Sequence, residues 1–199
     1  MKQSITISRE FGSGGREIGF KLAERLGIPF YDKEIITMAA EDAHIAESIL
    51  KAHDERAPKM FEYAPSNPFS VYRMPMSDQI FLAQSKVIKQ LVDQGPCVIV
   101  GRCASSVLAN SINIFIHADM DHRLQRKLSM NTGVEPAKMK EHIYSVDKRR
   151  EKYFQHYANK PWGQLKDYHL TMDSGLVGIE GCVECAESFV RRAWEEEEK

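Results

Sequence analysis

The chain has 199 residues, 43% of them hydrophobic, enough for one sizeable core, so a single globular domain is the default expectation. With 27 basic residues against 28 acidic ones and a net charge of -1, it carries no overall bias toward nucleic acid or an anionic membrane, and any anion site has to be local. No stretch approaches the roughly 20 apolar residues of a membrane helix, the N-terminus lacks the layout of a signal peptide, and Cys97, Cys103, Cys182 and Cys185 fall in two distant pairs rather than a disulfide framework, so a soluble, cytoplasmic protein is expected.

In chain order, Ser4 to Ser8 is a short β-branched run, followed by a turn with Gly12, Gly14 and Gly15 and an apolar pattern at Ile18, Leu22, Ala23 and Leu26. That reads as strand, loop and helix, with Gly27 placed as a helix C-cap. Ile28 to Tyr31 reads as a second strand, after which Asp32 can cap a helix from Lys33 to about Ala43. From His44 to Ser77 the pattern is irregular and carries Pro58, Pro65, Pro68 and Pro75, which suggests helical pieces joined by an excursion. A helix from about Asp78 to Gln94 ends at Gly95-Pro96, before the continuous apolar strand Cys97 to Val100. Ile112 to Ile116 is another strand, followed by a charged helix from Asp119 to about Asn131 and a long polar helix from Pro136 to about Asn159. Tyr168 to Met172 reads as the last strand, and Glu180 to Trp194 as an amphipathic helix ahead of the acidic end. Strands alternating with helices imply a doubly wound α/β sheet with ligands at the carboxyl ends of the strands.

A glycine-rich loop between a strand and a helix lets backbone N–H groups converge on phosphate, and the helix N-terminus adds partial positive charge. The full motif, G-x-x-x-x-G-K-[ST], also brings a lysine to the terminal phosphates and a hydroxyl to magnesium. In this chain Arg9 falls on the first glycine, Gly14 on the second, Gly15 on the lysine and Arg16 on the hydroxyl residue. Both chemical side chains are missing. Arg16 or Arg9 can supply a cation with two-pronged geometry for phosphate oxygens. Ser13, Glu17, or water and the nucleotide's own oxygens are the alternatives for the metal. A glycine-rich tight turn in an ordinary βαβ unit accounts for the spacing as well.

Several segments together resemble the bacterial cytidylate kinases, and more closely their divergent branch of cytidylate kinase-like proteins. They are ITISREFGSGGREIG for the phosphate loop, GIPFYDKEII for the second strand and following helix, CVIVGRCAS for the strand and Gly-Arg pair of the acceptor site, and DKRREKYFQHYANKPWG with DYHLTMDSGLVGIEG for the lid and last strand. The resemblance spans nearly the whole chain. It implies a P-loop NTPase fold of three α/β/α layers in one domain over 1–199, with a five-stranded parallel sheet, an acceptor-binding excursion over about 44–77 and a helical lid over about 135–167. It also implies transfer of the γ-phosphoryl group of ATP, with Mg2+, to a nucleoside monophosphate or similar small acceptor.

Carried over residue by residue, the resemblance assigns the donor phosphates to Gly12, Ser13, Gly14, Gly15, Arg16 and Glu17. Arg16 stands in for the missing lysine, and Arg149 and Arg150 neutralise charge from the lid. It assigns the acceptor to Arg102, at the Gly-Arg pair, and to Asp32, for which helix capping is an equal reading. Arg123 and Arg126 are further candidates to face the phosphates, and no residue is assigned as a metal ligand. Where cytidylate kinases carry Asp-Gly-Arg-Asp, this chain has Val100-Gly101-Arg102-Cys103, so the carboxylates that would accept from cytosine's amine are absent. Two rivals stay open: a nucleotide-binding protein that has lost transfer, and a kinase for a non-nucleotide acceptor. Cys182-x-x-Cys185 lacks a partner pair at zinc-like spacing, and Tyr153, Phe154 and Tyr157 read as packing, with base stacking as the alternative.

Overall fold

The computed structural model describes residues 2–32, 74–130 and 132–197, together with Ile35, Met38, Ala57 and Pro58. The β-branched N-terminal run forms β1 (Ser4–Arg9). A loop over 10–14 leads into α1 (Gly15–Leu26), whose buried Ile18, Leu22 and Ala23 recur at the helical period. Gly27 closes α1 in the left-handed conformation at φ 65°, and the Ile28 N–H reaches back to the Ala23 carbonyl at 3.1 Å. β2 (Phe30–Tyr31) is shorter than expected. Pro29 just before it has no N–H to give the ladder, although its carbonyl accepts from the Val98 N–H at 2.8 Å.

The helix expected from Lys33 and most of the excursion over 44–77 lie outside the described residues. Beyond them α2 (Met76–Asp93) leads to β3 (Val98–Val100), which is wholly buried, and to a short α3 (Ala104–Val107) that the sequence reading missed. β4 (Ser111–His117) is followed by α4 (Met120–Leu128), capped by Asp119, whose carboxylate accepts from the His122 N–H at 2.8 Å. The long polar helix opens as a 3-10 turn over Pro136–Lys138 and continues as α5 (Met139–Ala158). β5 (Leu170–Asp173) runs into α6 (Ser174–Glu197), which begins earlier than the expected Glu180. Gly178, at φ 71° and ψ 178°, kinks it into two helical segments, so only the second shows the amphipathic pattern legible in sequence.

All strands pair in parallel, in the order β2-β3-β1-β4-β5. The faces alternate with the strand period: Ile5, Ile7, Val98, Val100, Ile112, Ile114 and Ile116 pack on α1 and α6, while Cys97 and Ile99 pack on the other side against Ile80, Val87, Ile88 and Leu91 of α2. Burying each such aliphatic side chain is worth about 1.5–3 kcal/mol, so both layers are held chiefly by these stripes. Ile35 joins the second cluster and is fully buried. Because β1 lies between β3 and β4, the crossovers diverge on either side of it and open a crevice at the carboxyl ends of these strands. Among the described residues, no helix is long and apolar enough to cross a membrane.

Candidate active site

The loop over 10–14 sits at the carboxyl end of β1 and is pinned to the sheet from beneath. Ser13 is fully buried; its hydroxyl lies 2.9 Å from the Glu10 carbonyl and 3.1 Å from that of Ile116, and its own carbonyl accepts from the Ser174 hydroxyl at 2.6 Å. The Ser13 hydroxyl is thus engaged inside the fold. Gly14, at φ 81°, is in the left-handed region, and a Cβ there would run into Ile179 and lie 3.2 Å from Arg126 Nε. At Gly15, the lysine position of the full motif, a Cβ would meet Arg9 Cβ at 2.6 Å, so the packing of β1 against α1 excludes any side chain there.

Arg16 turns away from the loop. Its Nε donates to Asp32 Oδ2 at 2.7 Å, and the side chain keeps 56% of its surface exposed. Asp32 is buried, and its other oxygen lies 4.0 Å from Arg102 Nη2, so this carboxylate joins α1 to the end of β3. Arg102 itself is 3% exposed. It belongs to a left-handed run, Gly101 at φ 80°, Arg102 at 59° and Cys103 at 53°. Non-glycine residues in this region each cost on the order of 1–3 kcal/mol, a strain that collects at functional sites.

A cleft opens at the ends of β1 and β3; Arg9, Arg102 and Arg150 line it together with Tyr153, Phe154 and Trp162, and among the described residues its lining holds no Asp or Glu. Arg150 also donates to the Arg9 carbonyl at 3.1 Å. Arg149 lies on the exposed face of α5, since one residue turns a helix by about 100°. Tyr153 and Phe154 reach the cleft, whereas Tyr157 stacks on Phe81 at 4.0 Å and donates to Asp78 Oδ1 at 2.9 Å, which is packing.

The far side of the loop faces α4. Arg126 Nη2 donates to Glu17 Oε2 at 2.5 Å, and Lys21 lies 3.5 Å from the other oxygen of Glu17. Arg123 is buried; it donates to Asp147 Oδ2 on α5 at 2.5 Å and lies 3.6 Å from Glu10 Oε2, an ion network that ties loop, α4 and α5 together. Lys127, which the sequence reading passed over, stands 4.3 Å from the centroid of the Phe11 ring. Burial pushes its pKa below the usual lysine range, and the positive charges of Arg126 and Arg150 push it the same way. Arg123, Arg126 and Lys127 are spaced for one helix face, a signal visible in sequence. Among the described residues, no cluster of three or more metal-ligating side chains occurs. Cys182 is buried with its thiol pushed up to about 11, chiefly by burial, and Cys185 is exposed.

A parallel five-stranded sheet between helical layers, with a glycine loop after β1 and cations ranged around it, defines the P-loop kinase class of fold. The cytidylate kinase-like family matches residues 4–176, and the chain belongs to that family. Among solved structures, an uncharacterized protein from Eubacterium ventriosum is 26% identical with a TM-score of 0.71, over 96% of this chain and 99% of its own. A gluconokinase from Sinorhizobium meliloti (16% identity, TM-score 0.57, 98% and 94% covered) and a shikimate kinase from Bacteroides thetaiotaomicron (15%, 0.53, 95% and 98%) share the fold. No curated protein matches. The family supports phosphoryl transfer of the nucleotide-kinase type.

Proposed function

We propose that this chain transfers the γ-phosphoryl group of ATP to a small anionic acceptor, a nucleoside monophosphate or a compound of similar size and charge. The observation that carries the reading is the cleft at the ends of β1 and β3, where Arg9, Arg102 and Arg150 converge, with no carboxylate among the described residues of its lining, next to the glycine loop. When bound, MgATP supplies the transferable phosphoryl group and a divalent charge beside it. The loop fits its phosphates through backbone N–H groups at the start of α1, a turn that Gly12, Gly14 and Gly15 allow to pack against Arg123, Ile179 and Arg9, and the metal fits as a companion of the nucleotide held by phosphate oxygens and water. Arg102, strained and buried, holds the acceptor's anion together with Arg150; Arg126 and Lys127 neutralise charge from the α4 side of the loop. Tyr153, Phe154 and Trp162 exclude water, with α5 and its flanks over about 135–167 acting as lid. The base of the nucleotide lies on Leu176 and Val177, which expose 83% and 46% of their surface in the first segment of α6, the segment whose Ser174 hydroxyl bonds the Ser13 carbonyl of the loop.

Val100 and Cys103 do not support cytosine as the ring, since Val100 is buried in β3 and Cys103 offers no carboxylate to its amine. Calorimetry with MgATP tests the donor half: micromolar binding that weakens at least ten-fold in Gly14→Ala is expected, and absence of heat at millimolar nucleotide refutes the reading. A second reading, a nucleotide-binding protein without transfer, is favoured by Gly15 at the lysine position and by the engagement of Arg16 with Asp32. Tight binding with no product from any acceptor distinguishes it.

A further inference from the structure

Phe11 is the one large apolar residue of the phosphate loop, and its backbone is held from two helices. Its N–H donates to Asp147 Oδ1 of α5 at 2.7 Å, and its carbonyl lies 3.5 Å from Arg123 Nη1 of α4. The ring it presents is surrounded by cationic or cationisable groups. Lys127 Nζ stands 4.3 Å from the ring centroid, Arg150 Cζ 5.6 Å from it, and the His142 ring meets it edge-on at 5.4 Å. Lys127 and Arg150 come from different helices and repel each other, while the negative face of an aromatic ring attracts both. A half-buried phenyl group does nothing for phosphate directly, and an aliphatic side chain would fill the same space.

We propose that Phe11 is a positioning residue whose ring gathers Lys127 and Arg150 over the phosphate loop, where the two cations supply the charge that Gly15 cannot. This rests on the reading that the loop binds nucleotide phosphates. Gly15 cannot be restored to lysine because Arg9 occupies the space. The positive charge therefore has to come from outside the loop, and the loop carries the aromatic ring that recruits it. Burial and the like charges of Arg126 and Arg150 disfavour the Lys127 ammonium, and the ring face is the attractive group beside it.

The test compares Phe11→Leu, Phe11→Tyr and Lys127→Met by calorimetry with MgATP and MgADP, and follows the Lys127 side chain by NMR of the 13C-dimethylated protein. Phe11→Leu should bind MgATP about ten-fold more weakly with an unchanged Tm, and Phe11→Tyr should stay within about three-fold of the parent. Adding Phe11→Leu to Lys127→Met should cost less than a further three-fold, because the two act as one unit. The upfield-shifted Lys127 signal produced by the ring should move to the free-lysine position in Phe11→Leu and persist in Phe11→Tyr. Undiminished MgATP binding by Phe11→Leu, or a loss that simply multiplies with that of Lys127→Met, overturns the proposal while leaving the function above intact. Failure of the unmutated protein to bind either nucleotide overturns the function itself and this inference with it.

Discussion

Asp32 stands between two guanidinium groups of very different exposure, Arg16 at 56% and Arg102 at 3%. Withdrawing its charge removes a counter-ion from the buried Arg102, and breaking a buried pair costs about 3–5 kcal/mol. Asp32→Asn should therefore lower the free energy of unfolding by about 3 kcal/mol in urea, and Arg16→Gln by less than about 1 kcal/mol because the guanidinium it removes is itself half in water. An equal effect of the two would contradict the arrangement. Cys182 provides a check by pH. Its thiol stays protonated in the fold up to about 11, whereas an ordinary thiol loses its proton from about 9, so above pH 9 the unfolded chain binds fewer protons and stability falls until about pH 11. Burial pushes Cys97, Tyr31 and Tyr168 up as well and steepens the same alkaline limb. Cys182→Ala should remove about 2 kcal/mol of the drop between pH 9 and 11, read by denaturation at each pH. Arg102 was legible because a glycine-arginine pair at the end of a buried strand falls where α/β folds place ligands. The choice between Arg149 and Arg150 was not, because sequence does not set the rotation of α5 about its axis.

The elements nearest the site were legible to within a few residues wherever period and punctuation agreed, as for α1 between its glycine loop and Gly27. They were not legible where a turn substituted for regular structure. The left-handed run at Gly101, Arg102 and Cys103 places α3 where no apolar period announces it, and Gly178 hides the first segment of α6. Lys127 escaped notice for a related reason: the spacing of Arg123, Arg126 and Lys127 shows a shared face, but only the packing of α4 on the loop shows what that face meets. The loop itself yields the sharpest test at this scale. Gly14→Ala places a Cβ on Ile179 in a conformation that L-residues disfavour, so destabilisation of about 1–3 kcal/mol is expected along with the loss of nucleotide affinity. Retention of parental Tm and affinity would show that the loop does not need its glycine.

At the scale of the molecule, alternating strands and helices gave away the fold class, since continuous apolar runs such as CVIV belong to sheets buried on both faces. Strand order is set by crossovers and not by any one segment, and it emerged with the structure: β1 central, β3 and β4 beside it, and the crevice at their ends. The same topology explains why Arg9, Arg102 and Arg150, from three distant stretches of sequence, share one cleft. The acceptor was the least legible feature, because the cleft departs from the family pattern at the positions that would read a base. The central claim is that this cleft passes phosphate from ATP to an anionic acceptor. The direct measurement is transfer of label from γ-labelled ATP with magnesium across a panel of nucleoside monophosphates and small phosphorylated or carboxylated alcohols, for the parent and for Arg102→Ala. The account predicts labelled product from at least one anionic acceptor, with kcat/KM for that acceptor down about 100-fold in Arg102→Ala and the KM for ATP nearly unchanged. Tight ATP binding with no labelled product from any acceptor, or turnover indifferent to Arg102, would contradict it.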